Sequence, residues 1–129
     1  MAPTFVSGIP IYVQIADDIR AQILRGALRA GDQLTSTTEY SATYRINPAT
    51  VGKAFAILVD EGLVEKRRGI GMFVAEGARG ALVADGLASY VEETLNPAVD
   101  AGLALGLDLD AIIDHVRAYG ADTTAKDNS

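Results

Sequence analysis

The stretch that decides the fold runs from Asn47 to Val74: NPATVGKAFAILVDEGLVEKRRGIGMFV. Asn47 is a strong helix N-cap, and Pro48 suits the first helical position because its missing N–H would have no partner there. Val51, Phe55, Leu58 and Val59 then recur on one face, so a helix is predicted from Pro48 to about Glu61, closed by Gly62. Thr50 and Lys53 lie near the opposite face and Ala49 to its side, which gives the helix a buried stripe and a small, polar, partly basic edge at its N-terminus. Two short extended runs follow, flanking Gly69-Ile70-Gly71, and read as a β-hairpin with a glycine-rich turn. The basic triplet Lys66, Arg67 and Arg68 sits on its ascending arm.

Two further helices are predicted upstream. Ile11, Ile15, Ile19 and Ile23 recur every four residues between Pro10 and Gly26. Ala30-Gly31-Asp32 reads as a turn and Gln33-Leu34 as a short extended link. Ser36 with Glu39 three residues later forms a capping-box pattern for a helix ending near Tyr44, and Arg45-Ile46 makes the turn before Asn47. Helix, helix, turn, helix and a basic-tipped hairpin is the order of a winged helix-turn-helix: a mainly α fold with a small β-hairpin.

Downstream of Ala75 the composition shifts to alanine, leucine and glycine. Leu87, Val91, Leu95, Val99 and Leu103 form one apolar stripe, with a kink or restart expected at Pro97 and Asn96 as its cap. Gly106 ends it, and Asp108 can cap a last helix carrying Ile112, Ile113 and Val116. The expected organisation is a DNA-binding domain over 1–77, a two-helix dimerisation segment over 78–119 and a disordered tail over 120–129.

The totals narrow the function. The 129 residues carry a net charge of −6, with 49% hydrophobic residues, no cysteine and one histidine. Disulfides and thiolate metal sites are excluded, a histidine-based centre is disfavoured, and no phosphate-binding glycine motif supports an enzyme. His115 and the acidic residues Asp108, Asp110 and Asp114 read as packing, capping and solvated charge, with no metal and no cofactor. Met1 to Gly8 holds no basic leader, and Asp17, Asp18 and Arg20 break the apolar run that follows, so a cytoplasmic protein with no membrane span is expected. Acidity looks wrong for a DNA binder, but its distribution is uneven: eight basic and eight acidic residues up to Gly77, three basic and nine acidic beyond it. Phosphate binding depends on a local basic face, and the acidic part would point away from DNA.

Residues 10 to 75 resemble the winged-helix domain of the GntR family. The matching motifs are Pro10-Ile11-Tyr12 with Gln14-Ile15, then Leu24, Gly26, Leu28, Gly31-Asp32, Leu34, Ser36 and Glu39. They continue through Ile46-Asn47-Pro48, Thr50-Val51, Ala54, Leu58 and Glu61-Gly62-Leu63 to Arg68-Gly69-Ile70-Gly71-Met72-Phe73-Val74. The short C-terminal segment is similar to that of the YtrA-like subfamily, in which such a segment dimerises. The resemblance implies DNA contacts from Ser36, Thr38, Asn47, Ala49, Thr50 and Lys53 and from Arg68, Gly69 and Gly71 in the wing. Arg45, Lys66 and Arg67 join them as basic residues of the same region. Where the family usually has arginine, this chain has Thr38, and where many members have basic or polar residues it has Pro48 and Gly52, so arginine-to-guanine readout is not implied there. Gly52 is expected to serve close helix packing.

The resulting expectation is a sequence-specific regulator, a repressor acting as a homodimer on palindromic double-stranded DNA. The dimer would form through Leu87, Val91, Leu95, Val99, Leu103, Ile112, Ile113 and Val116. About forty residues (78–119) leave little room for an enclosed pocket, so a small-molecule effector would bind at the dimer interface or between domains. The alternatives are a winged-helix protein-interaction module and a nonspecific DNA binder.

Overall fold

The computed structural model describes residues 5–127 and divides into two compact units, the first reaching Asp85 and the second beginning at Gly86. The first unit comprises α1 (Ile11–Leu24), α2 (Thr37–Tyr44), α3 (Pro48–Asp60), β1 (Val64–Arg67), β2 (Gly71–Val74) and the opening turns of α4 (Ala78–Ser89).

The core forms where the periodic stripes meet. Ile15, Ile19 and Ile23 of α1 pack with Val51, Ala54, Phe55 and Leu58 of α3, and Tyr40, Leu63, Val64 and Val74 close the cluster. Each fully buried large side chain contributes about 1.5–3 kcal/mol. Ile11, at the outer end of the α1 stripe, stays exposed. Arg20 ties α1 to the end of α3 by pairing with Glu61 as well as with Asp17 at 2.7 Å.

The expected helix starts hold. Ser36 Oγ accepts from the Glu39 N–H at 3.1 Å, and Asn47 Oδ1 accepts from the Ala49 N–H at 2.8 Å with Pro48 opening the helix. Between them Arg45 adopts a left-handed conformation, φ 54°, and its N–H returns to the Ser41 carbonyl. The Ser41 hydroxyl donates to the Ile46 carbonyl, so the turn between α2 and α3 is closed from both sides.

β1 and β2 pair antiparallel from Val64 with Val74 to Arg67 with Gly71. The Ile70 N–H closes on the Arg67 carbonyl at 2.9 Å, and Gly69, φ +77°, fills the turn position that needs a positive φ. The extended link 31–34 joins this hairpin as a third edge: Leu34 N–H donates to Met72 at 2.8 Å and Val74 N–H to Asp32 at 2.9 Å.

Three expectations are corrected. The first unit runs past Gly77 because Ala78 is buried, Leu82 packs on the core, and Arg79 Nε donates to the Leu24 carbonyl at 2.9 Å. Asn96 is not a cap: it is the first residue of α5 (Asn96–Ala104), with helical φ −60° and ψ −47°. The interruption lies before it, in a π-helical turn over Tyr90–Leu95 that absorbs the N–H and the space Pro97 takes from the ladder. The tail is not disordered from 120: α6 (Leu109–Asp127) continues through it, helped by the Lys126–Asp122 pair at 3.4 Å and a Thr123 hydroxyl bond to the Tyr119 carbonyl at 3.0 Å. Residues 128–129 lie outside the described residues, as do 1–4 of the expected first domain and of its leader reading.

In the second unit Gly106, φ +94°, ends α5 as expected, and Asp108 Oδ1 accepts from the Ala111 N–H at 2.7 Å to cap α6. α5 and α6 meet where Gly102 faces Ile112 and Leu107.

Candidate nucleic-acid interface

The candidate DNA-facing residues fall on three neighbouring surfaces of the first unit. α2 opens with Ser36, whose side chain is committed to its cap, and carries Thr38 exposed on its first turn. The turn presents Arg45, exposed and held left-handed. α3 presents Asn47, Ala49 and Lys53 as exposed residues, with Thr50 half-buried. The Asn47 side chain is engaged in its cap, so its amide nitrogen is the group it still offers outward.

The wing supplies the cations. Lys66, Arg67 and Arg68 are all exposed, and the Arg67 guanidinium lies 4.1 Å from the Phe73 ring centroid, which fixes its direction. An open cleft of about 360 Å³ lies between the wing and the segment leading into α2, lined by Gln33, Ser36, Lys66, Arg67, Gly69 and Gly71 among others. The structure thus brings Ser36 to the wing residues. Thr38, Arg45, Asn47, Ala49, Thr50 and Lys53 do not line this cleft.

Residues outside the sequence-derived set shape the surface. Gln33 Nε2 donates to the Ile70 carbonyl at 3.1 Å, bracing the turn of the wing. Tyr12 of α1 lies under Lys53, with the ammonium 4.0 Å from the ring centroid. Gln33 had one signal in the sequence, its extended setting between Asp32 and Leu34; the Tyr12 contact joins residues far apart in the chain and had none.

Gly52 does not serve helix packing: a Cβ built there meets nothing within 4 Å. It sits half-buried on α3, away from Val51, Ala54, Phe55 and Leu58, which form the buried face. On the buried side of α2, the Tyr40 ring lies tilted by 57° against Tyr44 at 4.6 Å between centroids and meets Phe55 edge-on at 6.1 Å. Its buried hydroxyl has no hydrogen-bond partner among the described residues, and burial, with lesser contributions from Asp18 and Tyr44, pushes its pKa up to about 12.

Among the described residues no group of histidine, cysteine, aspartate and glutamate could hold a metal ion, and no helix is long and apolar enough to cross a membrane. The chemistry on offer is a basic, glycine-turned hairpin beside a capped helix with short side chains: an arrangement that can approach a polyanion closely and neutralise phosphates.

Known proteins share this arrangement. Residues 11–74 match the family described as bacterial regulatory proteins, gntR family. The HTH-type transcriptional repressor YtrA of Bacillus subtilis (strain 168) is 33% identical over 116 residues, which cover 90% of this chain and 88% of the relative. A GntR family transcriptional regulator from Listeria monocytogenes superposes with a TM-score of 0.69 at 28% identity, over 88% of this chain and 98% of its own. AraR(DBD), solved in complex with operator ORX1, superposes with a TM-score of 0.51 at 27% identity, over 58% of this chain and 90% of its own. With its helix order, its wing and most of its length shared with these regulators, the chain belongs to the gntR family of bacterial regulatory proteins: it is a DNA-binding transcription regulator and not an enzyme.

Proposed function

We propose that the protein represses transcription in the cytoplasm as a homodimer bound to two half-sites related by two-fold symmetry. The observation that carries this reading is the uncovered apolar face of the second unit. Leu87, Val91, Leu95, Leu103 and Val116 are exposed, Val99, Ile112 and Ile113 are half-buried, and no described residue from Gly86 onward is buried. Large apolar side chains left exposed together along one short segment suit an interaction site, and a second copy is a self-complementary occupant. Dimerisation would set two winged-helix units on half-sites about one helical turn apart, or a multiple of it.

On each half-site α3 enters the major groove with Ala49 and Thr50 toward base edges, while Asn47, Arg45 and Lys53 meet the backbone. Ser36 and Thr38 approach phosphate at the start of α2. Lys66, Arg67 and Arg68 engage phosphates beside the minor groove, and Gly69 and Gly71 let the wing come close. A small-molecule effector would act at the interface between copies. The name of the YtrA repressor supports repression as the outcome.

Sedimentation equilibrium tests the assembly. The wild-type chain is expected as a dimer, and Leu95→Asp with Val99→Asp as a monomer with operator affinity lowered at least about a hundredfold, since two copies no longer bind as one. A monomeric wild type that binds DNA at full strength contradicts the proposal. A reporter driven by the chain's own upstream promoter should fall when the protein is expressed; a rise would make it an activator.

A further inference from the structure

The wing ends in a side chain that its surroundings do not explain. Ile70 is 67% exposed at the turn, beside Arg68 and Arg67. The turn is nevertheless built rigidly. The Ile70 N–H is held by the Arg67 carbonyl at 2.9 Å and its carbonyl by Gln33 Nε2 at 3.1 Å. Gly71, φ +145°, holds a backbone conformation that residues with side chains rarely adopt, and a Cβ there would also lie 2.5 Å from Gln33 Nε2 and displace the end of that side chain. Arg67, stacked on Phe73, is drawn along the strand pair. A braced, branched apolar tip flanked by cations has the shape of a wedge for a groove whose walls are phosphates and whose floor is base edges.

We infer that Ile70 is a specificity-determining residue that reads the minor groove by excluding the guanine amino group, and that Gln33 is the positioning residue holding it there. The minor groove separates A·T from G·C pairs through the exocyclic N2 amine of guanine, a polar donor projecting from the floor. An apolar side chain pressed onto that floor leaves the amine without a hydrogen-bond partner, whereas A·T pairs present no donor there. The wing therefore selects A·T pairs beneath it, by contact and by tolerance of the narrower groove they form. This rests on the proposed DNA reading of the wing and adds its sequence preference.

The test uses the full chain and a duplex recovered from a random library by repeated selection, resynthesised with 2,6-diaminopurine in place of adenine. That base adds the minor-groove amine and leaves the major-groove face of the pair unchanged. Wild-type binding should fall about tenfold, the scale of one unfavourable base pair, and Ile70→Gly should lose most of this sensitivity. Gln33→Ala should lie between the two while keeping its salt dependence, which a general loss of wing contacts would change. If wild type and Ile70→Gly respond equally to the added amine, the inference is overturned while DNA binding stands. If the chain selects no duplex at all, the DNA reading falls and takes this inference with it.

Discussion

The Lys53 ammonium rests 4.0 Å from the centroid of the Tyr12 ring, so the exposed edge of α3 is joined to the first turn of α1. Tyr12 is itself partly buried against the core. The ring restrains a long side chain that otherwise loses about 2 kcal/mol of rotamer freedom when it is fixed on a ligand. Lys53→Ala should weaken DNA binding and reduce the slope of log affinity against log salt by about 0.9, the signature of one lost phosphate contact. Tyr12→Leu should keep the slope and weaken binding by less than tenfold, in line with a cation–π contact of about 0.5–1 kcal/mol. Anisotropy titrations across a salt series measure both; an unchanged slope in Lys53→Ala would remove this lysine from the phosphate contacts.

Two glycines should respond oppositely to alanine. At Gly52 the added methyl meets nothing within 4 Å, and a helical glycine costs about 1 kcal/mol relative to alanine, so Gly52→Ala should stabilise the fold by about that amount. At Gly71 the methyl would strike Gln33 and the backbone is left-handed, so Gly71→Ala should destabilise the hairpin. Urea midpoints of the two variants check the signs.

Asn47 caps α3 through its bond to the Ala49 N–H at 2.8 Å, at the end of the helix proposed to approach DNA. Asn47→Ala should lower stability by about 1 kcal/mol. Asn47→Asp should retain the cap and most of that stability yet weaken DNA binding, because it places a carboxylate beside phosphate. Thermal melts and titrations of the two variants separate the cap from the contact.

Tyr40 predicts an alkaline transition. Its pKa rises from 10.0 to about 12 in the folded chain, chiefly because burial disfavours the phenolate. A folded-state pKa above the unfolded one contributes stability that is whole below pH 10 and is lost as the pH rises through about 12. Tyr40→Phe should remove this loss. With no partner for the hydroxyl among the described residues, it should also leave stability at pH 7 unchanged or raised by about 1 kcal/mol. Urea midpoints from pH 8 to 12 report both.

The winged helix was legible because its signals are local. The Ile15-Ile19-Ile23 stripe, the caps at Ser36 and Asn47 and the glycines of the wing each act within a few residues, and each appears where the sequence placed it. What escaped depends on distant partners. The bond from Gln33 to Ile70 and the pairing of 31–34 with β2 join segments with no shared pattern. Ala78 reads as a surface alanine until the core behind α4 is known. The packing role expected for Gly52 failed because composition cannot tell a glycine that meets a neighbour from one that faces open space. Pro97 signalled an interruption, but where the helix widens, over Tyr90–Leu95, was set by backbone accommodation ahead of the proline.

Sequence-specific DNA recognition through α3 and the wing is what the proposed function requires. It is tested most directly by titrating the purified chain against its own upstream promoter, at two salt concentrations with excess competitor DNA. Binding should survive the competitor, weaken steeply with salt, and be lost in the double variant Arg68→Ala with Thr50→Ala. Binding that vanishes under competitor, or that the double variant retains in full, would contradict it.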